Sequence, residues 1–315
     1  MYDLVALGEV LIDFTYYGQS KHGSALFEQN PGGAPANVLA MCAGLGLNTA
    51  FIGKVGADMH GDFLRQTLKA KGIEVKGLIS ATDAFTTMAF VKLEGAERYF
   101  SFARKPGADM TLSAAEIDFD IVKAAKIFHF GSLSLTDEPS RNSTIKAIET
   151  AKMEGAVISY DPNYRQDLWK NITEAKLRMR DAAQFADIIK ISEEEAELLA
   201  DKSDPKAAAQ AMLEQGATCV IVTFGADGAL VATKEGSVKK TPPNCVAVDT
   251  TGAGDVFLGS FLYRLSKSAR PLDDHNLQEI EDYVTFANAA ASLCVEKRGA
   301  MPSMPDISAI YERLY

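Results

Sequence analysis

Four cysteines and four histidines are all that the 315 residues offer of thiol and imidazole side chains, and there is one tryptophan. Cys42, Cys219, Cys245 and Cys294 stand far apart in apolar segments with no Cys-x-x-Cys pair. That spacing excludes a disulfide framework or thiolate zinc site and predicts buried, reduced core residues. His22, His60, His129 and His275 show no metal-ligand spacing. No apolar run is long enough to span a bilayer, and no basic segment leads into an apolar one at Met1–Leu7, so a cytoplasmic protein is expected. A basic cluster is missing too. With a net charge of −10, nucleic acid and anionic membranes are poor partners. An anionic ligand must instead be held locally, by backbone amides, a metal ion or a few arginines. Absent as well are Gly-x-x-x-x-Gly-Lys-Ser/Thr and the protein-kinase motifs, and a dinucleotide fingerprint would need glycine where Phe257 stands.

What is present is an ordinary globular composition, 47% hydrophobic and 23% charged. Short apolar runs without alternation, such as Leu4–Leu7, Ile127–Phe130, Ile188–Ile191 and Cys219–Thr223, alternate with helical patterns. Runs of that kind read as strands buried on both faces, and the alternation predicts a parallel sheet covered by helices. One stretch breaks the rhythm. Thr86–Leu93 and Glu97–Phe102 form a hairpin pattern around Glu94-Gly95-Ala96, an excursion with which residues 16–29 could pair. There is no internal repeat or linker, so residues 1–315 are expected to form one α/β domain, with a lid from about 14–30 and 84–104.

The chemistry centres on Asp249-Thr250-Thr251-Gly252-Ala253-Gly254-Asp255, between an apolar Cys245–Val248, read as a short buried strand, and a helical run from Val256. Glycine lets a ligand approach the backbone, and the unpaired amides of a helix start favour an anion. Asp255 is the odd member, because a carboxylate repels phosphate. Either it is a first-turn acid favoured by the helix dipole, or the amides hold a transferring phosphoryl group while Asp255 takes a proton from the attacking hydroxyl. Elsewhere, Asn30–Asn37 opens a helix with two glycines and two prolines, more than a capping turn needs. Asp13 falls near a strand end, where open α/β sheets place ligands. Ser192 and Glu195 have capping-box spacing. Arg104 and Asp109 read as a solvated charge pair.

Taken together, these segments resemble the ribokinase-like (PfkB) family of carbohydrate kinases, most of all its bacterial fructokinases. Asp249–Asp255 matches the C-terminal signature, Gly32-Gly33-Ala34-Pro35-Ala36-Asn37 the N-terminal one, and Thr223-x-Gly225-x-x-Gly228 the nucleotide turn. The resemblance spans nearly the whole chain. It implies a mainly parallel sheet flanked by helices on both faces, a small β-sheet lid, and transfer of the γ-phosphoryl group of ATP to a sugar. Asp255 would be the base and Gly252, Ala253, Gly254 and Asp255 the anion hole, with Arg165 beside the transferred phosphate. Asp13, Gly32, Gly33, Asn37, Phe102, Arg104 and His129 would bind the sugar. Lys190, Ser192, Thr223, Gly225, Gly228 and Asn288 would bind ATP. Glu195 would hold Mg2+ through water, with Ser192 standing where the family often has asparagine. Asp249 and Thr251, with the loop 298–303, would hold K+. D-Fructose is the expected substrate. A 2-keto-3-deoxygluconate kinase and a silent sugar-binding regulator stay open, as does a homodimer formed through the exposed lid strands.

Overall fold

A computed structural model describes residues 1–94 and 97–315. The strands, in chain order, are β1 (Tyr2–Leu7), β2 (Leu11–Gln19), β3 (Ala25–Gly32), β4 (Thr49–Gly56), β5 (Leu78–Ala81), β6 (Met88–Glu94) and β7 (Glu97–Ala103). They continue with β8 (Ala125–Gly131), β9 (Val157–Asp161), β10 (Ile188–Ser192), β11 (Cys219–Thr223), β12 (Ala229–Thr233) and β13 (Gly236–Lys240). The helices are α1 (Ala34–Gly44), α2 (Met59–Ala70), α3 (Phe119–Lys123), α4 (Ser140–Met153), α5 (Ile172–Ala183), α6 (Glu193–Ala200), α7 (Pro205–Glu214), α8 (Ala253–Ser268), α9 (Leu277–Cys294) and α10 (Ile307–Leu314).

The unalternating apolar runs do become strands buried on both faces. Nine strands form one sheet in the order β13-β12-β11-β10-β9-β8-β1-β4-β5, parallel from β11 to β5, with β12 and β13 returning antiparallel at one edge. Helices cover both faces, as right-handed strand–helix–strand crossovers require. On one face Val38, Leu39, Met41, Val256, Phe261, Val284 and Phe286 build the core. On the other, Phe128, Phe130, Ile148, Tyr160, Met179 and Val222 do. α1 and α8 pack closely because Gly259 leaves no room for a side chain: a β-carbon there would stand 2.8 Å from Met41 Cβ.

The excursion is a second sheet, ordered β3-β2-β6-β7. β2 pairs antiparallel with β3 and parallel with β6, so residues 16–29 do join the hairpin. The inferred turn at Glu94-Gly95-Ala96 lies in part outside the described residues. This lid stands over the carboxyl ends of the main strands. Asp13 is the third residue of β2, where the chain passes from β1 into the lid.

One inferred element is absent. Cys245–Val248 is not a strand; Val246 is 80% exposed, and Cys245 is exposed rather than a core thiol. An apolar run beside a glycine-rich turn looks like a strand, but here it lies in the connection from β13 to α8 without regular structure, and Val248 donates its N–H to the Val295 carbonyl at 2.7 Å. Among the described residues, no helix is long and apolar enough to cross a membrane.

Candidate active site

The glycine-rich turn does begin a helix. Gly252 is the N-cap of α8 at φ +77, a conformation that favours glycine, and a β-carbon there would strike Ala300. Ala253, Gly254 and Asp255 form the first turn, whose amides have no partner within the helix. The Ala253 N–H leans back on the Thr250 carbonyl at 3.3 Å. Asn37, in the first turn of α1, donates its side-chain N–H to Asp255 Oδ2 at 2.7 Å. Residues far apart in sequence thus fix one carboxylate.

Two cavities meet at this turn. The first, about 200 Å³, is polar and is lined by Glu9, Asp13, Gly33, Asn37, Phe102, Asn163, Arg165, Lys190 and Asp255, among others. The second, about 210 Å³, is apolar and is lined by Thr223, Gly225, Gly228, Cys245, Ala247, Ala253, Phe257, Asn288 and Val295, among others. Thr250 and Gly254 belong to both. The arrangement places an anion-binding helix start between a polar site with a carboxylate and a flat apolar slot.

Electrostatics follow from the placement. Desolvation raises the Asp255 carboxyl to about 6, with Asp161 adding to the rise, while Asn37, Lys190 and Arg165 oppose it. Asp13 is pushed up to about 7, again mainly by desolvation and further by Asp255 and Asp249, against Arg165. Lys190 is nearly buried, and its Nζ lies 2.9 Å from Asp161 Oδ2. A β-carbon on Gly254 would come 2.9 Å from that Nζ, so the ammonium sits directly over the turn. The acidic chain thus carries local positive charge where an anion would lie.

Of the residues singled out in the sequence, Asp13, Gly33, Asn37, Phe102, Arg165, Thr251, Gly252, Gly254 and Asp255 come together in the polar cavity. Thr223, Gly225, Gly228, Asn288 and Ala253 come together in the apolar one. Lys190, expected to bind ATP, lines the polar cavity with its ammonium over the turn that the two cavities share. Gly32 serves Asp13 indirectly, since a side chain there would collide with the Asp13 carboxylate. Asn288 donates to the Lys240 carbonyl at 3.0 Å, fixing its amide at the slot.

Others stand elsewhere. His129 is fully buried in β8, its Nδ1 3.1 Å from Ser159 Oγ, and desolvation lowers its pKa to about 3. It does not reach the polar cavity. Arg104 is not a solvated partner of Asp109. The pair is buried at 2.7 Å, and the same guanidinium donates to Thr136 Oγ1 and the Leu133 carbonyl, both at 2.9 Å. Its donors face protein, so it does not cap the polar cavity. Ser192 and Glu195 form a complete capping box at the start of α6. Glu195 Oε1 also accepts the Tyr164 N–H at 2.6 Å.

Asp249 ties two loops together, accepting from Thr251 N at 2.9 Å and Gly299 N at 2.9 Å. Among the described residues no cluster of three His, Cys, Asp or Glu could hold a metal ion. Glu195, expected to hold magnesium, is buried with its two oxygens accepting the Tyr164 and Ser192 amides and lines neither cavity; Asp249, expected to hold a monovalent cation, has its two oxygens on Thr251 and Gly299. Glu9 was missed in the sequence, and Asp161 and Asn163, part of the fructokinase-like stretch Asp161–Arg165, had no individual role, since an acid or amide at a strand end carries no spacing signal of its own.

A sheet of this order with a β-lid, two cavities meeting at a helix start and a buffered aspartate is the architecture of a sugar kinase. Residues 1–307 match the pfkB family carbohydrate kinase, and the chain belongs to that family. Fructokinase-2 of Oryza sativa subsp. japonica is 40% identical over 98% of this chain and 93% of its own length. The crystal structure of fructokinase with bound ATP from Xylella fastidiosa superposes with a TM-score of 0.92 at 32% identity, covering 100% of this chain and 98% of that one. A double mutant of the Vibrio cholerae O395 fructokinase, in fructose-, ADP- and potassium-bound form, gives a TM-score of 0.89 at 34% identity, covering 100% and 99%.

Proposed function

We propose that this protein transfers the γ-phosphoryl group of ATP to D-fructose, giving fructose 6-phosphate. The observation that carries this reading is the meeting of the polar and apolar cavities at Thr250 and Gly254. A sugar in the first and a nucleotide in the second would point hydroxyl and phosphate at each other across the first turn of α8. Such in-line placement supplies most of what phosphoryl transfer requires. The fructokinases with bound ATP and with bound fructose support the assignment of the two ligands.

In this mechanism Asp255 takes the hydroxyl proton, held in orientation by Asn37. The Gly254 and Asp255 amides stabilise the charge developing on the phosphoryl oxygens. Arg165 and Lys190, facing the same cavity, neutralise it from the sugar side. Asp13, Gly33 and Asn37 hold sugar hydroxyls, and Phe102 of β7 bounds the cavity from the lid. Thr223, Gly225, Gly228 and Asn288 hold the nucleotide. Glu195 would hold magnesium through water, and Asp249 with Thr251 would hold potassium; when bound, these ions neutralise phosphate charge. Lid closure over the sugar excludes water that would otherwise take the phosphoryl group. Tyr17, Phe27 and Phe90 are exposed on the lid strands and suit a homodimer there.

The test is ATP-dependent phosphorylation of D-fructose, 2-keto-3-deoxygluconate, ribose and an aminoimidazole riboside, side by side with magnesium and potassium. A kcat/KM for fructose at least tenfold above the others supports the reading. A preference for the keto-acid moves the substrate while keeping the machinery, and ATP binding without transfer to any sugar returns the silent regulator.

A further inference from the structure

Asp161 ends β9 and is nearly inaccessible, at 1% exposure. Its Oδ2 accepts from the Lys190 ammonium of the neighbouring strand β10 at 2.9 Å. Its Oδ1 accepts the N–H of Asn163 at 3.2 Å. Asn163 sits at φ +44, an uncommon conformation for a residue other than glycine, and lines the polar cavity together with Arg165. One buried carboxylate therefore grips two things at once: the lysine over the glycine-rich turn, and the start of the loop carrying Arg165. Glu195 holds the same loop from its other side through Tyr164 N. A lysine stem is flexible and its ammonium is a point charge, so an anchor is needed to keep it at one place.

We propose that Asp161 is a positioning residue for the transfer: it clamps the Lys190 ammonium over Gly254, where the migrating phosphoryl group passes, and sets the balance of charge around Asp255. This rests on the reading of Asp255 as the base. Asp161 itself touches neither sugar nor nucleotide and acts through Lys190 and the loop after β9. The groups facing Asp255 are Asp161 from β9, Lys190 from β10, Arg165 from the following loop, Asn37 from α1, Asp13 from β2 and the Cys294 thiol from α9. Among them Asp161 is the largest electrostatic influence that keeps the Asp255 proton on, and Lys190 opposes it.

The experiment is steady-state kinetics against pH on the full chain, with whichever sugar the wild type phosphorylates, for Asp161→Asn, Asp161→Glu, Lys190→Met, the double variant Asp161→Asn/Lys190→Met, and Asp255→Asn. Asp161→Asn is isosteric and keeps an acceptor for Asn163. It is expected to lose at least tenfold in kcat, with sugar KM within threefold, and its acid limb should move to lower pH as a negative neighbour of Asp255 disappears. Lys190→Met should also lose at least tenfold, with the acid limb moving the other way. The double variant should fall no further than Lys190→Met alone, and Asp161→Glu should recover part of the loss. A mere packing role would lower stability without displacing the two limbs in opposite directions. Wild-type kcat in Asp161→Asn, multiplicative losses in the double variant, or unmoved acid limbs would overturn the proposal. If Asp161→Asn does not fold, Asp161→Glu and Lys190→Met carry the same test. Substantial turnover by Asp255→Asn would instead sink the assignment of the base, and a wild type inactive on every sugar would remove the reading and this proposal together.

Discussion

Arg104–Asp109 and Lys190–Asp161 are both buried ion pairs beside the polar cavity, with closest distances of 2.7 and 2.9 Å, yet they are built differently. In the first, the guanidinium also donates to Thr136 and to the Leu133 carbonyl, and Asp109 accepts from Thr87 as well. Thr87 precedes β6 and Arg104 follows β7, so this pair pins both feet of the lid to the body. In the second, a point-charge ammonium faces the cavity from a single carboxylate anchor. A fully engaged arginine suits a fixed joint; lysine, with donors turned to a cavity, suits an anion that comes and goes. Burial of opposite charges therefore says little about role until the remaining donors are counted.

The strongest way to sharpen the contrast is to remove what the second pair surrounds. Asp255→Ala is expected to lower kcat by about 10²–10⁴ or more while nucleotide affinity stays within about threefold, read by turnover assay and calorimetric titration. In the wild type, kcat/KM should fall on the acid side around the raised Asp255 value of about 6, because the base works only when ionised. A profile flat down to pH 5 would contradict it. Next comes the joint itself. Arg104→Met leaves Asp109 buried without its cation, at a cost of about 3–5 kcal/mol in unfolding free energy. Turnover per folded molecule should change far less than in Asp255→Ala. A variant as stable as wild type but catalytically dead would reverse the assignment of Arg104.

A third variant acts on the apolar side alone. Gly228 sits at φ +89, and a β-carbon there would run into the Lys240 carbonyl, the same group that fixes Asn288. Gly228→Ala should raise KM for ATP roughly tenfold through about 1–3 kcal/mol of backbone strain, and leave KM for the sugar nearly unchanged. Equal rises in both would mean that the two cavities are not separate ligand sites.

The parts of this molecule that sequence reveals are those that backbone geometry forces on residue choice. Gly252 and Gly254 must be small, unalternating apolar runs must be covered on both faces, and Ser192 with Glu195 closes a local hydrogen-bonded ring. The parts it hides depend on distant partners. Arg104 finds Thr136 and Leu133 about thirty residues away, which no local pattern announces, so a structural clamp reads as a sugar ligand. His129 lies in the apolar run of β8 and is fully buried against Ser159 of the neighbouring strand β9, away from both cavities. Cys245 and Ala247 border the apolar cavity while Val246 and Val248 are exposed, and sequence cannot tell such a segment from a buried strand. Asp161 looks like any turn acid until the parallel pairing of β9 and β10 sets it against Lys190.

Glu9 lines the polar cavity with Lys190, feels the charges of Arg104 and Asp109, and offers the smallest test. Its Oε1 accepts the Ala34 N–H at 2.9 Å, holding the start of α1, while Oε2 is buried without a partner. Desolvation pushes its carboxyl up to about 7, with Asp109 adding to the rise and Arg104 opposing it. A group whose folded pKa stands above its ordinary 4.5 contributes stability that is fully present below 4.5 and is lost as pH rises through about 7. Glu9→Gln keeps an oxygen for Ala34 and removes the titration. Relative to wild type, the variant should therefore gain stability between pH 4.5 and about 7 and level off above that, by about 3 kcal/mol in all, as measured by urea unfolding across that range. A difference constant in pH would show that Glu9 is ionised throughout, held so by Arg104. In that case the lid joint would reach the polar cavity electrostatically, and the separation between the two ion pairs would be less complete than their hydrogen bonds indicate.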